Sequence, residues 1–400
     1  MRKILFFFIG LFFAGEALSQ DQYVVLVSMD AFRWDYSRIY STPNLDKIAQ
    51  SGVKANSLIP CFPSKTFPNH YSMATGLYPD HHGIVNNSFY APEFKESFSL
   101  GNEKAKYDQK FYGGEPIWNT AERQGVKAAS FFWVGSEISI NGRRPSIWKM
   151  YDANVPFSAR IDSVVSWLRL PEKNRPHLVL LYFQEPDAIS HKFGPISNQT
   201  KRQVEQLDSL MGVLRMKLKA LPIGEKINLI IVSDHGMAPI SHDMEVELSS
   251  GVKSEWVDEV QADNPAMNLS AKSQYYDSVF SALTRMEHIK VWKNKEIPAR
   301  LNYGKNPRTL DFTVVADSLW SVTWKRRVGA SGYNMGTHGY DPEYKAMHGI
   351  FYAEGPMFRK GIQTQSFENL NVYNIVSRIL NILPAPNDGD PAVLEMVLKK

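Results

Sequence analysis

Residues 23–30 read Tyr-Val-Val-Leu-Val-Ser-Met-Asp, an almost unbroken apolar run that ends in a carboxylate. Such a run is typical of a strand that is buried on both faces. Residues 177–183 and 227–233 have the same character and are followed by Asp187 and by Asp234. Because ligands of open α/β sheets bind outside the carboxyl ends of the strands, we expect these acids to converge with Asp30.

Helical patterns lie between these strands. Residues 43–50 begin with proline after Thr42 and end before Gly52, which are start and stop signals of a helix. A second helix has an apolar face with a spacing of three and four, formed by Val204, Leu207, Leu210, Leu214, Leu218 and Leu221. The alternation of strand and helix predicts an α/β fold with a mostly parallel sheet covered on both sides.

The later part of the chain has a looser pattern. We expect residues from about 241 to 336 to form an inserted cap within a single catalytic domain over residues 20–400, with a hairpin around residues 304–307. Core-like segments follow the insert, because residues 350–353 resemble another strand and residues 372–383 a closing helix.

Composition sets limits on the class of protein. The chain has 400 residues, of which 44% are hydrophobic and 22% charged, and this length allows a large buried core. The formal net charge is only +4, so charge indicates neither a nucleic-acid partner nor a membrane surface. The single cysteine, Cys61, excludes an intrachain disulfide.

The first residues predict a cleavable export signal. Residues 1–3 are Met-Arg-Lys, an apolar run covers residues 4–14, and small residues follow at Ala17 and Ser19. We expect a signal peptide over residues 1–19 and a mature protein in a bacterial periplasm or outside the cell. A retained membrane anchor is the alternative, but a span needs about 18–20 apolar residues. No other apolar run approaches that length.

A proline-rich segment presents one threonine. Pro60, Pro63 and Pro68 surround Thr66, and proline restricts both its own backbone and that of the preceding residue. We expect a rigid turn that is followed by a helix over residues 70–75. A hydroxyl at the amino end of a helix suits a nucleophile that attacks an anion. The alternative is that Thr66 only caps the helix.

Several acids and histidines have the spacing of metal ligands. Asp187 and His191 are four residues apart, which puts both on one face of a helix, and Asp234 is followed directly by His235. The candidate ligands are Asp30, Asp187, His191, Asp234, His235 and His338. Oxygen and imidazole ligands together suit zinc. The alternatives are turn formers, helix caps and a surface pair of charges.

This ligand set predicts a chemistry. Six ligands divide into two sets of three, and two zinc ions about 4 Å apart can hold both oxygens of an in-line phosphoryl displacement. Zinc would also contact Thr66 and favour the deprotonated form of its hydroxyl. Water would then hydrolyse the phosphothreonine intermediate.

At these residues the sequence resembles the nucleotide pyrophosphatase/phosphodiesterase family of the alkaline phosphatase superfamily, in its bacterial type. The matching segments, in family order, are residues 62–71, 76–84, 141–145, 185–187 with His191, 233–237 and 338–341. The resemblance implies a three-layer α/β/α alkaline phosphatase-like sandwich with a small inserted cap. It also implies two zinc ions, nucleotides as small-molecule substrates and a nucleoside 5′-monophosphate as product. Lipid or choline preferences of animal members, which carry extra disulfide-linked domains, are not expected to transfer.

The resemblance also assigns roles to residues. It implies that Asp30, Asp234 and His235 bind the zinc that contacts Thr66, and that Asp187, His191 and His338 bind the other. Asn87 is implied to donate its amide to a phosphate oxygen. The residues implied to stack on or border the nucleobase are Phe67, Tyr151 and Tyr182, for which ordinary core packing is the alternative.

Other functions on the same fold stay open. Residues 61–65, Cys-Phe-Pro-Ser-Lys, come within one residue of the sulfatase signature, with Lys65 in place of arginine. A phosphomonoesterase would share the metals and the nucleophile. It would also have to neutralise an additional phosphate charge, for which only Lys65 is near Thr66. A metal-binding protein without catalysis is the third alternative.

Overall fold

The computed structural model describes residues 22–261, 263–326 and 334–400. The predicted signal peptide, residues 1–19, lies outside the described residues, as do residues 262 and 327–333 of the predicted cap. The strands are β1 (Tyr23–Met29), β2 (Val53–Ala55), β3 (Leu58–Ile59), β4 (Ser88–Ala91), β5 (Glu96–Ser99), β6 (Ala128–Phe131), β7 (Ile147–Lys149), β8 (Leu178–Phe183), β9 (Ile227–Val232), β10 (Ala238–Pro239), β11 (Glu245–Glu247), β12 (Val257–Gln261), β13 (Ala266–Ala271), β14 (Ile289–Lys293), β15 (Phe312–Ala316), β16 (Ser321–Thr323), β17 (Gly336–Thr337), β18 (Phe351–Glu354), β19 (Ile362–Thr364) and β20 (Phe367–Glu368). The α-helices are α1 (Tyr36–Ile39), α2 (Pro43–Ser51), α3 (Thr66–Thr75), α4 (Pro79–His82), α5 (Glu103–Lys106), α6 (Ile117–Arg123), α7 (Phe157–Leu168), α8 (Asp187–Phe193), α9 (Asn198–Lys219), α10 (Tyr276–Leu283), α11 (Val372–Ile379) and α12 (Ala392–Val397).

A central eight-stranded sheet has the order β19-β2-β18-β9-β1-β8-β6-β7. Strand β1 pairs in parallel with both β8 and β9, so the three predicted buried strands are neighbours. Strand β18 is antiparallel to β9 and β2, whereas the other pairs are parallel. The sheet is therefore mostly parallel, as the sequence predicted.

The alternation of side chains along β1 explains the three layers. Val24 and Leu26 pack into the core beneath α3, α6 and α11, and Val25 and Val27 pack into the core beneath α2, α7 and α9. Burying one such aliphatic side chain contributes about 1.5–3 kcal/mol. Both faces of the strand are dry, which is why its sequence is continuously apolar. The α/β fold class is confirmed.

Of two expectations about later elements, the end of the closing helix is wrong and the hairpin is confirmed. The closing helix α11 ends at Ile379 instead of residue 383, and a further short helix, α12, follows it. Residues 304–307 lie within residues 294–311, which connect the antiparallel pair β14 and β15, so a hairpin with a long loop surrounds them. The backbone N–H groups of residues 304–306 all bond to the Asp80 carboxylate. A carboxylate from the main body thus organises this loop, and no pattern within the loop itself reveals that.

A second sheet lies within the predicted insert. Strands β12, β13, β15 and β14 form an antiparallel sheet in that order. Apolar side chains of β13 and β15 pack with α10 into a separate core that includes Leu269, Val279 and Val314. The division into one catalytic domain with a cap over residues 241–336 stays a prediction. No helix in the described ranges is long and apolar enough to cross a membrane.

Candidate active site

Helix α3 places the candidate nucleophile. The sequence predicted a turn at Thr66 with the helix after Asn69, but the helix begins at Thr66 itself. Pro68 is the third helical residue, where its missing N–H costs no intrahelical bond. Asn69 fastens the preceding turn, because its Nδ2 donates to the carbonyls of Pro63 and Lys65 at 3.0 and 2.8 Å. The helix ends at Thr75, as predicted, and Gly76 follows it in a left-handed conformation.

The Thr66 hydroxyl does not cap the helix. The N-cap position belongs to Lys65, and no side chain caps this end of α3. Thr66 Oγ1 instead lies 3.1 Å from Nε2 of His235. The hydroxyl therefore contacts a candidate metal ligand.

The three predicted carboxylates converge at the carboxyl ends of neighbouring strands. Asp30 follows β1, Asp187 begins α8 just beyond β8, and Asp234 follows β9. In each carboxylate one buried oxygen has no hydrogen-bond partner among the described residues: Oδ1 of Asp30, Oδ1 of Asp187 and Oδ2 of Asp234. Buried acceptors of this kind are costly unless a cation or a donor satisfies them.

The three predicted histidines are all held in the same way. A backbone carbonyl lies 2.8–2.9 Å from each Nδ1, namely Gly336 for His191, Gly236 for His235 and Ser64 for His338. A proton on Nδ1 leaves the lone pair on Nε2, which is the tautomer of a metal ligand. The Nε2 atoms of His191 and His338 lie 3.3 and 3.6 Å from Asp187 Oδ1. Nε2 of His235 lies 3.0 Å from Asp234 Oδ2 and 3.4 Å from Asp30 Oδ1.

This arrangement fits bound divalent cations. Asp187, His191 and His338 form one group whose ligand atoms lie within 4.8 Å of one another, and Asp30 and Asp234 lie in overlapping groups beside it. Burial and the neighbouring carboxylates Asp234 and Asp187 raise the pKa of Asp30 well above its ordinary value. A set of mutually repelling carboxylates with imidazole nitrogens is suited to zinc.

Glycines allow the segment around His338 to lie close to α8 and to Lys65. A Cβ on Gly336 would lie 2.6 Å from the carbonyl oxygen of Ser190, and one on Gly339 would lie 2.5 Å from Cε of Lys65. Neither position has space for a side chain. Gly339 also has φ +121°, a conformation that other residues rarely adopt.

Asn87 lies beside the candidate nucleophile. Its Oδ1 accepts a 2.9 Å hydrogen bond from the backbone N–H of Phe67, the residue after Thr66. Since the carbonyl oxygen is engaged, the Nδ2 donors of this amide are the atoms left for a ligand. Its backbone N–H bonds to Oδ1 of Asn86, which is buried.

A cavity of about 530 Å³ opens beside Thr66 and the candidate metal ligands. Its aromatic lining includes the rings of Phe67, Tyr151 and Tyr182. Tyr151 is 39% exposed, so the core-packing alternative does not describe it. Tyr182 is buried, and its hydroxyl donates to Oδ2 of Asp30 at 2.6 Å. This phenol thus orients a candidate metal ligand, which the sequence did not predict.

Other site residues were also missed. His70 is fully buried, with its Nδ1 3.0 Å from the Thr66 carbonyl and 3.2 Å from Asp234. Its position one helical turn after Thr66 was a usable signal. Glu137 lines the cavity, and burial raises its pKa to about 7. No local pattern marks Glu137, because the other walls of the cavity come from distant segments.

Comparison with known proteins decides the family. A family model described as type I phosphodiesterase / nucleotide pyrophosphatase matches residues 24–341. The chain belongs to this family. The resemblance to the family inferred from the motifs is thereby confirmed, whereas its bacterial type stays a prediction. The family members of known structure share the alkaline phosphatase-like fold.

Relatives of this phosphodiesterase family member include venom and mammalian proteins. Venom phosphodiesterase CdcPDE of Crotalus durissus collilineatus is 38% identical over 389 residues, covering 94% of this chain and 46% of the relative. Human ectonucleotide pyrophosphatase/phosphodiesterase family member 1 is 37% identical over 391 residues, covering 94% of this chain and 42% of the relative. The chain thus spans about half the length of the curated relatives it matches.

Solved structures of family members superpose closely. Human ectonucleotide pyrophosphatase/phosphodiesterase 5 has a TM-score of 0.89 and 33% identity, covering 94% of this chain and all (100%) of that chain. The mouse protein of the same name, as an inactive threonine-to-alanine variant in complex with AMP, has a TM-score of 0.88 and 32% identity. The match covers 94% of this chain and 100% of the mouse chain.

Proposed function

We propose that this protein is a two-zinc nucleotide pyrophosphatase/phosphodiesterase that releases a nucleoside 5′-monophosphate. The observation that carries the proposal is the Thr66 hydroxyl, 3.1 Å from His235 Nε2, on the wall of a cavity that also contains aromatic rings. The mouse relative supports it, since that protein is inactive as a threonine variant and binds AMP.

The candidate ligands would hold the metal in two sets. We assign Asp30, Asp234 and His235 to one zinc and Asp187, His191 and His338 to the other. When bound, zinc supplies positive charge that favours the deprotonated Thr66 hydroxyl and neutralises the phosphate oxygens. Tyr182 keeps Asp30 in its ligand orientation.

The reaction has two displacements at phosphorus. In the first, Thr66 Oγ1 forms a bond to phosphorus while the bond between phosphorus and the leaving oxygen breaks. In the second, a water oxygen attacks and the bond to Thr66 Oγ1 breaks, which frees the threonine and the nucleoside 5′-monophosphate. The Nδ2 of Asn87 donates to a nonbridging oxygen as its negative charge grows.

The positions of the lysines favour a diester over a monoester substrate. A phosphate monoester brings more negative charge to the nucleophile than a diester does. Lys65, the residue before Thr66, uses its ammonium to bind Asp263 and the Asn264 carbonyl. Among the described residues that line the cavity, Lys106 is the only lysine or arginine. Among the described residues, no lysine or arginine with a free charge is therefore placed beside Thr66 to neutralise the additional charge.

The aromatic rings give the nucleotide a place to bind. Phe67 directly follows the nucleophile and Tyr151 is half-exposed in the same cavity. We assign these rings to stacking on the base, which tolerates every base because each has an apolar face. The ring of Tyr182 borders the same space.

We also propose that the protein acts outside the cytoplasm, in the periplasm or secreted. The support is the Met-Arg-Lys start with its apolar run over residues 4–14. Expression of the full chain in a Gram-negative host tests this. We expect a periplasmic product whose intact mass shows that its chain begins near residue 20. An uncleaved cytoplasmic product would contradict export.

The substrate class is tested by steady-state hydrolysis. The zinc-loaded protein should prefer bis-p-nitrophenyl phosphate over p-nitrophenyl phosphate and p-nitrophenyl sulfate. Thr66→Ala is the matched control, because it should keep its zinc and its fold but lose most turnover. A preference for the monoester or the sulfate would overturn the substrate class, and no turnover of any would favour a binding protein.

A further inference from the structure

Lys65 connects the catalytic turn to the predicted cap. Its Nζ donates to Asp263 Oδ1 at 2.8 Å and to the carbonyl of Asn264 at 2.5 Å. The side chain of Lys65 is 6% exposed and that of Asp263 is 17% exposed. Because this ion pair is largely removed from water, solvent and salt screen it little.

On the cap side of this contact, Asn264 is held by hydrogen bonds to its neighbours. Oδ1 of Asn264 accepts a 2.9 Å hydrogen bond from the backbone N–H of Val322, and its Nδ2 donates to Ser321 Oγ at 3.2 Å. Both partners belong to β16, which pairs with β11 in the same insert. The Lys65 ammonium therefore binds residues 263–264, a segment that hydrogen bonds to β16 hold in place.

At the other end of this contact, residues 64 and 65 are held by hydrogen bonds and by close packing. Ser64 donates its hydroxyl to the carbonyl of Tyr340 at 2.6 Å, and its own carbonyl lies 2.9 Å from His338 Nδ1. Gly339 leaves no more space than the Lys65 stem needs, since a Cβ there would lie 2.5 Å from Lys65 Cε. Residues 64 and 65 are thus fixed by the cap and by the His338 segment, directly before Thr66.

We propose that Lys65 is a positioning residue whose ion pair with Asp263 couples the cap to the Thr66 hydroxyl. This inference rests on the proposed function, in which Thr66 is the nucleophile. A displacement of a reacting group by about 1 Å can cost about 100-fold in rate. Loss of the lysine charge also leaves Asp263, whose Oδ2 has no hydrogen-bond partner among the described residues, as an uncompensated buried charge.

Three variants test the coupling: Lys65→Met, Asp263→Asn and the double variant. On thymidine 5′-monophosphate p-nitrophenyl ester, each single variant should lower kcat by about 10- to 100-fold, with KM within about twofold of the wild type. The double variant should be no slower than the slower single variant, because both changes break one interaction. Zinc content should stay unchanged in all three.

A lysine that binds the leaving group gives a different pattern. In that case Lys65→Met would raise KM for ATP and leave the p-nitrophenyl ester unaffected. Asp263→Asn would free the lysine and leave kcat unchanged on both substrates. Either result would overturn the positioning role.

Arg215→Met is the matched control, since Arg215 pairs at 2.6 Å with buried Glu354 in the main body. It should lower the melting temperature without lowering kcat.

Hydrogen–deuterium exchange supplies a readout independent of turnover: residues 62–70 should exchange faster in Asp263→Asn than in the wild type. If the wild type hydrolyses no diester but this exchange effect appears, the proposed function fails and the coupling stands. Active wild type with unchanged exchange and kcat in Asp263→Asn would overturn the coupling alone.

Discussion

The hydroxyl of Tyr182 donates a 2.6 Å hydrogen bond to Oδ2 of Asp30 and thereby sets the orientation of that carboxylate. The other oxygen, Oδ1, lies 3.4 Å from Nε2 of His235 and accepts no hydrogen bond from the described residues. A buried phenol thus directs one carboxylate oxygen into the candidate metal site. Groups that hydrogen-bond to a metal ligand commonly affect metal affinity by about 10- to 100-fold.

Tyr182→Phe should therefore weaken zinc binding by about 10- to 100-fold while keeping the aromatic ring in the cavity. Zinc release to a competing chelator measures the affinity. Tyr151→Phe is the control, because it removes a hydroxyl from the same cavity without touching Asp30. Equal zinc affinity in Tyr182→Phe and the wild type would separate this phenol from the metal site.

The two ligand sets predict how zinc is lost. Asp187→Asn and Asp234→Asn each replace a carboxylate in a different set, so each purified variant should retain about one of two zinc ions. Elemental analysis of the protein after dialysis gives the stoichiometry. Full occupancy in either variant would remove that aspartate from the ligand set.

The aromatic cavity predicts an effect on binding rather than on chemistry. Phe67→Ala and Tyr151→Ala should each raise KM for a nucleotide substrate by about tenfold, since stacking on a base contributes about 1–3 kcal/mol. Methyl p-nitrophenyl phosphate, which has no base, serves as the comparison substrate. A KM change of the same size on both substrates would show that these rings do not bind the base.

Glu137 predicts a dependence of stability on pH. Burial raises its pKa from 4.5 to about 7, with its own backbone N–H and Lys106 opposing. The folded state therefore holds this proton more tightly than the unfolded state, and stability is lost as pH rises from about 4.5 to about 7. Glu137→Gln should melt about 5 °C above the wild type at pH 8, with little difference at pH 4.5.

Exposed Glu103 on α5 provides the control substitution. Glu103→Gln should leave the melting temperature unchanged at both pH values. If Glu137→Gln behaves in the same way, Glu137 does not carry a raised pKa.

Local patterns predicted the parts of the fold that depend on burial. Strand β1 covers the apolar run that precedes Asp30, and β8 and β9 each differ from their predicted runs by one residue at one end. Strands buried on both faces have continuous apolar sequences, which makes their bounds visible in the sequence. The start of α3 was misjudged at Pro68, since proline was taken to precede the helix although the first turn accommodates it. The positions of Asp30, Asp187 and Asp234 after three buried strands predicted that these acids converge, and the structure groups them with the candidate histidines.

Contacts between distant segments could not be predicted. Lys65 contacts Asp263, which is 198 positions away in the sequence. Tyr182 contacts Asp30, which is 152 positions away. Neither pair has a periodicity or a short motif that joins its members. Only the fold reveals which polar groups meet, and we propose that these groups orient the candidate ligands and Thr66.

Thr66 is proposed to form a covalent intermediate, and the stereochemical course at phosphorus distinguishes this intermediate from direct attack by water. A nucleotide phosphorothioate diester of one configuration is hydrolysed in ¹⁸O-labelled water, and the configuration of the product is determined. Two successive in-line displacements, the first by Thr66 and the second by water, predict net retention. Net inversion would show a single direct attack by water and would contradict the assignment of Thr66 as the nucleophile.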